Sequence, residues 1–169
     1  DRVPLVEWVI DEGVMDALLP GCDYFAFNDW IGLDNVGMNR SSWSRDNVEY
    51  VDKDKGLFRD QWGVTRAFGP ESSPYPVEGP IRSPNDVKSF QPPDPEADDV
   101  LGQLPDVVAQ YKGRKAVTAI CRDAFFNPSH LRGMENFLMD IIDHPALVHE
   151  LIEITLSYDL RVTERMIQA

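Results

Sequence analysis

From Leu147 to Met166 the apolar positions recur at steps of three and four, through Val148, Leu151, Ile152, Thr155, Tyr158 and Val162. That spacing keeps one face of a helix against a core, so it predicts an amphipathic helix over this stretch. Pro145 suits its first turn, where a missing N–H has no partner to lose. Upstream, Leu131, Met134, Phe137, Leu138, Ile141 and Ile142 predict a helix over 129–142. A third helical stretch, 96–112, carries Val100, Leu101, Leu104, Val107 and Val108 on one side. Pro105 moves its start towards 104, and Gly113 supplies its stop. Between these helices lies the apolar run Ala116-Val117-Thr118-Ala119-Ile120-Cys121. A short run flanked by helices reads as a buried parallel strand.

The first part of the chain is less regular. Residues 3–8 predict a strand, and a short helix is expected over 11–19, with Asp11 and Glu12 near its positive end. Pro20-Gly21 breaks it. Asp23 can cap a second short helix carrying Tyr24, Phe25, Phe27, Trp30 and Ile31. Leu33 to Asn39 predicts another strand. Val48–Val51 and Leu57–Phe68 flank the polar turn Asp52-Lys53-Asp54-Lys55-Gly56, which predicts a β-hairpin. Pro70 to Pro95 holds eight of the 13 prolines and reads as an irregular crossing segment. One helical turn is expected in it at 84–90, capped by Ser83 or Asn85. Strands alternating with helices imply a parallel α/β architecture.

Composition narrows the function classes. At 169 residues the chain has room for one domain and hardly two. Its net charge of −13 opposes binding to nucleic acid or to an anionic membrane surface. No run approaches the ~18 apolar residues a membrane span needs, and no signal peptide is visible, so cytoplasm is the expected compartment. Cys22 and Cys121 lie far apart and outside any metal-binding spacing, and two reduced thiols are expected. His130, His144 and His149 make no metal pattern and read as helix-end and surface residues. The abrupt opening strand and the uncapped stripe at Ala169 together suggest a piece of a larger protein.

Several segments resemble the uroporphyrinogen decarboxylase superfamily, which also holds corrinoid-dependent methyltransferases. Asp1-Arg2-Val3-Pro4 resembles its opening, and Phe58-Arg59-Asp60-Gln61-Trp62-Gly63-Val64 its D-x-W-G hairpin. Gly79-Pro80-Ile81, Ser83 to Val87 and Pro93-Asp94-Pro95 are similar to its connecting segment. Gly133-Met134-Glu135 and Leu138 to Pro145 resemble its G-x-E-x-x-L-x-D-x-x-x-x-P helix pair. Phe27-Asn28-Asp29-Trp30-Ile31 is faintly similar to the decarboxylase's F-S-D-I substrate segment. The resemblance implies a (β/α)8 TIM barrel, and the chain then corresponds to its N-terminal half with an inserted hairpin. Association with a second copy or with the C-terminal half is expected, because a half barrel exposes strand edges and apolar helix faces.

Active sites of such barrels lie at the C-terminal ends of the strands. That points to Glu7 and Trp8, to Asn39 and Arg40, and to Arg122 and Asp123. Arg122 can bind a substrate carboxylate while Asp123 orients it, or the two can form a structural ion pair. Glu7, desolvated by Trp8, suits a general acid, or else is a hydrogen-bonded structural carboxylate. Arg40 can hold an anion. Asp60 and Trp62 read as turn and packing residues. The family's arginine-rich M-R-Q-A-G-R segment, which grips the porphyrinogen carboxylates, is replaced by the acidic Glu7-Trp8-Val9-Ile10-Asp11. This favours methyl transfer on a small substrate over porphyrinogen decarboxylation, with a true decarboxylase or a non-catalytic ligand-binding barrel as alternatives. The resemblance allows zinc and a corrinoid in the complete protein, with ligands outside this segment.

Overall fold

The computed structural model describes residues 2–38, 43, 45–69 and 73–169. They fall into two units, one built from 1–42, 98–120 and 165–169, the other from 43–97 and 121–164.

The first unit starts with two short helices, α1 (Glu12–Leu18) and α2 (Tyr24–Ile31). Asp11 caps α1 through the Gly13 amide, and Asp23 caps α2 through the Ala26 amide. Strand β1 (Asn35–Met38) pairs in parallel with a later strand, Ala116–Ala119, Asn35 lying opposite Ala116 and Met38 opposite Ala119. The expected strand and its parallel pairing are therefore present, but it is not a buried strand: Ala116 is exposed and Val117, Thr118 and Ala119 are half-buried. The helix before it, Leu104–Tyr111, is shorter than 96–112 because Pro105 sits in its first turn. Val36, Val107 and Tyr111 are buried together, with Tyr24, Phe25 and Val117 packed against them.

The expected strand over 3–8 does not form a ladder. Residues 5–7 are held instead by the side chains that begin β1. The Asp34 carboxylate accepts the Leu5 amide at 2.7 Å, and the Leu5 carbonyl accepts the Asp34 amide at 2.8 Å. Asn35, fully buried, accepts from the Glu7 amide at 3.2 Å and donates to the Glu7 carbonyl at 3.0 Å. These bonds satisfy the backbone groups a strand ladder would have paired. Val3, Leu5, Val6, Trp8 and Val9 all remain exposed.

The second unit contains more sheet than the expected hairpin. Strands β2 (Tyr50–Asp52), β3 (Leu57–Arg59), β4 (Thr65–Ala67) and β5 (Tyr75–Glu78) form a four-stranded antiparallel meander in that order. β5 lies inside the proline-rich stretch. It is an exposed edge strand, where Pro76 removes no ladder bond that the sheet needs. In chain order β6 is Ala116–Ala119 and α3 is Leu104–Tyr111. The turn expected at 84–90 is a 3-10 helix, Asp86–Ser89. The Asp86 carboxylate reaches back to the Arg82 and Ser83 amides at 2.9 and 2.6 Å, rather than Ser83 or Asn85 capping forward.

The helix expected over 129–142 is two helices, α4 (Phe126–Arg132) and α5 (Met134–Asp143). Gly133 separates them with φ 83°, a conformation side chains disfavour. Arg132 bridges the break, donating to Asp140 at 2.6 Å and to the Arg82 carbonyl at 2.8 Å. The last helix, α6, runs Pro145–Gln168, and its stripe Leu147, Val148, Leu151, Thr155, Tyr158 and Val162 is buried as the spacing predicts. Trp62 stacks on Phe90 and meets Tyr158 edge-on at 4.9 Å. Gly79 passes under the α4 backbone, where an added Cβ would stand 2.0 Å from the Leu131 carbonyl oxygen. No helix is long and apolar enough to cross a membrane, among the described residues. Cys22 and Cys121 are free thiols.

Candidate functional site

The second unit brings together a row of polar and aromatic side chains that no single segment announces. Its base is Asp60, in the turn between β3 and β4. One carboxylate oxygen accepts the Trp62 and Val64 amides at 2.9 and 3.0 Å. The other accepts from Arg66 Nε at 2.6 Å. Both side chains are buried, 0% and 4% exposed, so the pair is a dry one and depends on having every partner in place. The Arg66 guanidinium lies over the Trp43 ring at 4.4 Å. Its outer nitrogen meets His130 Nδ1 at 3.2 Å.

His130 sits in the last turn of α4, partly buried. Burial first, then the charges of Arg66 and Arg122, push its pKa down to about 4. The imidazole packs on Phe126 with ring centres 4.2 Å apart. On that same Phe126 ring lies the Arg122 guanidinium, 3.9 Å from its centre. The row Arg66, His130, Phe126, Arg122 thus presents a neutral imidazole between two guanidinium groups. A site of this composition suits an anionic oxygen.

Asp123 is committed to the backbone. Its carboxylate accepts the Phe126 and Phe125 amides at 2.8 and 3.0 Å, turning the chain into α4. The Phe126 amide first, then Phe125, hold its pKa below the ordinary value of 3.8. It is ionised at neutral pH, and its bonds orient the backbone that carries Arg122 into the helix.

Glu7 and Trp8 belong to the first unit. Glu7 is exposed, and its carboxylate accepts the amide of Trp8 at 2.8 Å. Trp8 is itself 49% exposed, so the dry environment expected around Glu7 is not formed by these two residues. Beneath them runs a buried polar chain: Asn28 donates to the Asn35 carbonyl at 2.8 Å, and Asn35 to the Thr118 hydroxyl at 3.2 Å. Lys115 bonds Asn28 and pairs with Asp29 at 2.6 Å. Asp29 is thereby matched by a lysine rather than left open to a ligand. Arg40, with Asn39, lies outside the described residues.

Sequence pattern alone leaves His130 among surface histidines and does not single out Arg66. The only signal is the D-x-W-G turn, which marks Asp60 but says nothing of a partner in α4. A second, open cleft of about 370 Å³ is lined by Arg59, Thr65, Glu78 and Arg82, and Arg82 there already pairs with Glu78 at 2.7 Å. No three His, Cys, Asp or Glu side chains converge as metal ligands among the described residues.

Comparison with known proteins bears on most of this unit. Neither the curated proteins nor the solved structures include one that matches the chain. The family model described as uroporphyrinogen decarboxylase (URO-D) matches residues 58–169, from the start of the Asp60 turn through Arg66, Arg122 and His130 to the end of α6. With two thirds of its length matched, this chain belongs to the uroporphyrinogen decarboxylase family.

Proposed function

We propose that the chain forms the first part of a TIM barrel and that the complete protein is an enzyme acting on a small substrate bearing a carboxylate. The observation that supports this is the placement of Arg122 and His130 on one Phe126 ring. A guanidinium offers two parallel donors to a carboxylate, and the aromatic face beneath it holds the plane of that guanidinium.

Methyl transfer is the favoured reaction. A tetrapyrrole with many carboxylates needs several cations, whereas the opening segment carries Glu7, Asp11 and Glu12 and the whole chain carries −13. Zinc and a corrinoid belong to that reading only for parts of the protein beyond these residues, and no step is derived through either. Decarboxylation is the second reading, favoured by the two guanidinium groups, Arg66 and Arg122, that flank His130.

The natural full-length protein should be offered methylcobalamin with a thiol acceptor, and uroporphyrinogen in a parallel assay. Methyl thioether formation is expected. Stoichiometric release of CO2 from uroporphyrinogen overturns methyl transfer in favour of the second reading. Binding of either compound without turnover overturns the enzymatic reading. Arg122→Ala should raise KM about tenfold or more, since one charged hydrogen bond contributes roughly 1.5–3 kcal/mol. An unchanged KM removes Arg122 from the site.

A further inference from the structure

We infer that His130 serves as a neutral hydrogen-bond donor, through Nε2–H, to the anionic oxygen of the substrate, and that Arg66 is the positioning residue that fixes this tautomer. The inference rests on the carboxylate reading above and assigns a second contact within that site.

The tautomer follows from what a guanidinium can do. Arg66 has only N–H donors and is never deprotonated in a protein. Its outer nitrogen stands 3.2 Å from His130 Nδ1, so Nδ1 must present a lone pair. The single proton of the neutral ring then resides on Nε2. Adding a second proton would place it on Nδ1, directly against Arg66 and near Arg122. Both cations resist that, and partial burial resists it further.

Arg66 is not free to turn aside. Its Nε is bonded to Asp60, whose carboxylate is itself anchored by two backbone amides, and its face rests on Trp43. The arrangement is a chain of fixed groups: amides hold Asp60, Asp60 holds Arg66, and Arg66 sets the imidazole. At the far end of the ring, Nε2 makes no hydrogen bond among the described residues. No buried side-chain nitrogen or oxygen lacks a partner among them, so Nε2 is not fully enclosed. The imidazole and the Arg122 guanidinium both pack on Phe126, with ring centres 4.2 Å apart for the one and 3.9 Å from guanidinium carbon to ring centre for the other. Arg122 is near enough for its charge to act on His130.

The chemical consequence is a division of labour. Arg122 supplies charge, and His130 supplies direction without exchanging a proton. A histidine locked in this way polarises an oxygen but is a poor general base, because its only route to imidazolium is blocked by a cation.

Nitrogen NMR of the 15N-labelled natural protein tests this directly. Nε2 should be protonated and Nδ1 unprotonated from about pH 5 to about pH 8, with no titration near the ordinary histidine value. Acetate serves as the probe for the site. It should shift the Nε2–H resonance. His130→Leu should weaken acetate binding about tenfold, the effect of one charge-assisted hydrogen bond. His130→Gln, whose amide N–H can occupy the Nε2 position, should restore most of it. Arg66→Lys should let both tautomers appear in the spectrum.

A proton on Nδ1 in the unaltered protein overturns the inference, and so does titration near pH 6.5. These two readouts need no variant to fold. If Arg122→Ala weakens acetate binding while His130→Leu leaves it unchanged, the role of His130 fails and the carboxylate reading stands. If neither variant alters acetate binding, the carboxylate reading itself fails.

Discussion

Asp60 and Arg66 face one another across the β3–β4 turn at 2.6 Å, and neither side chain reaches solvent to any extent. A charge pair this dry is costly to break from one side only, because the surviving partner is left unpaired in a poor solvent. Arg66→Met should therefore destabilise the protein by about 3–5 kcal/mol, and Asp60→Ala by a similar amount. The double variant Asp60→Leu with Arg66→Met should recover a large part of the loss. Urea unfolding at neutral pH measures all three. Equal costs for the single and double variants would show that packing, not the unpaired charge, sets the stability here.

Gly79 is required by space rather than by backbone conformation. A methyl group there would stand 2.0 Å from the Leu131 carbonyl oxygen and 2.4 Å from that of His130. Both neighbours are backbone atoms of α4, and the next residues bind the same helix end, Ile81 donating to the Leu131 carbonyl at 3.0 Å. Gly79→Ala should cost about 2–4 kcal/mol, as overpacking against an unyielding element does. It should also disturb His130, so the imidazole resonances would move together with the fall in urea midpoint. A variant as stable as the parent would mean that α4 shifts freely.

The pH dependence of stability separates His130 from the acidic groups. His130 titrates at about 4 in the folded protein against an ordinary value of 6.5. Above pH 6.5 neither the folded nor the unfolded state carries its proton. As pH falls from 6.5 towards 4, the unfolded state takes up a proton that the folded state refuses, so stability declines. Asp34, Asp86 and Asp123 are all held below 3.8, by backbone amides first, and lose their contribution only as pH falls below that value. His130→Gln should flatten the stability curve between about pH 6.5 and 4 and leave the steeper acid limb in place. Thermal unfolding across that range distinguishes the two, and a curve unaltered by the substitution would place the sensitivity elsewhere.

Residues 5–7 depend on side chains rather than on a strand ladder. Asn35 both accepts from and donates to the backbone of Glu7, while its amide also reaches Thr118. Asn35→Leu should leave these groups unpaired at a cost of about 1–3 kcal/mol. The Glu7 amide should then exchange with deuterium much faster, whereas the Leu5 amide, held by Asp34, should change less. An unchanged exchange rate at the Glu7 amide of the variant would argue against the clasp.

The buried stripe of α6 and the strand Ala116–Ala119 are legible in the order of residues alone. On the stretch expected as one helix over 129–142, by contrast, only Leu131 and Phe137 of the apolar positions are buried, and Met134, Leu138, Ile141 and Ile142 stay exposed. A helix packed along one side writes its burial into the chain every three or four residues, and a strand between two helices writes itself as a short apolar run, here one that ends only half-buried. The cap at Asp23 is legible for the same reason, since a cap bonds within a few residues, while Asp11, expected only as a charge near the helix's positive end, proves to be the cap of α1. The edge strand Tyr75–Glu78 is hidden by Pro76, because proline argues against a strand in every position except the edge it occupies. Residues 3–8 mislead in the opposite way. Their apolar pattern is that of a strand, but their backbone is met by the Asp34 and Asn35 side chains and one Asp34 amide rather than by a ladder.

The alternation of helices and strands, the acidic balance and the motif order that marks the family are all properties of the chain as written, because each is recorded locally or in sum. The chemistry of the site is a product of packing. Arg66 and His130 stand 64 positions apart in the chain, on a strand and a helix that share no pattern. Whether a histidine is a surface residue or a locked donor depends on which cation meets its ring nitrogen, and that is settled by how β4 and α4 pack, not by anything either segment spells out alone.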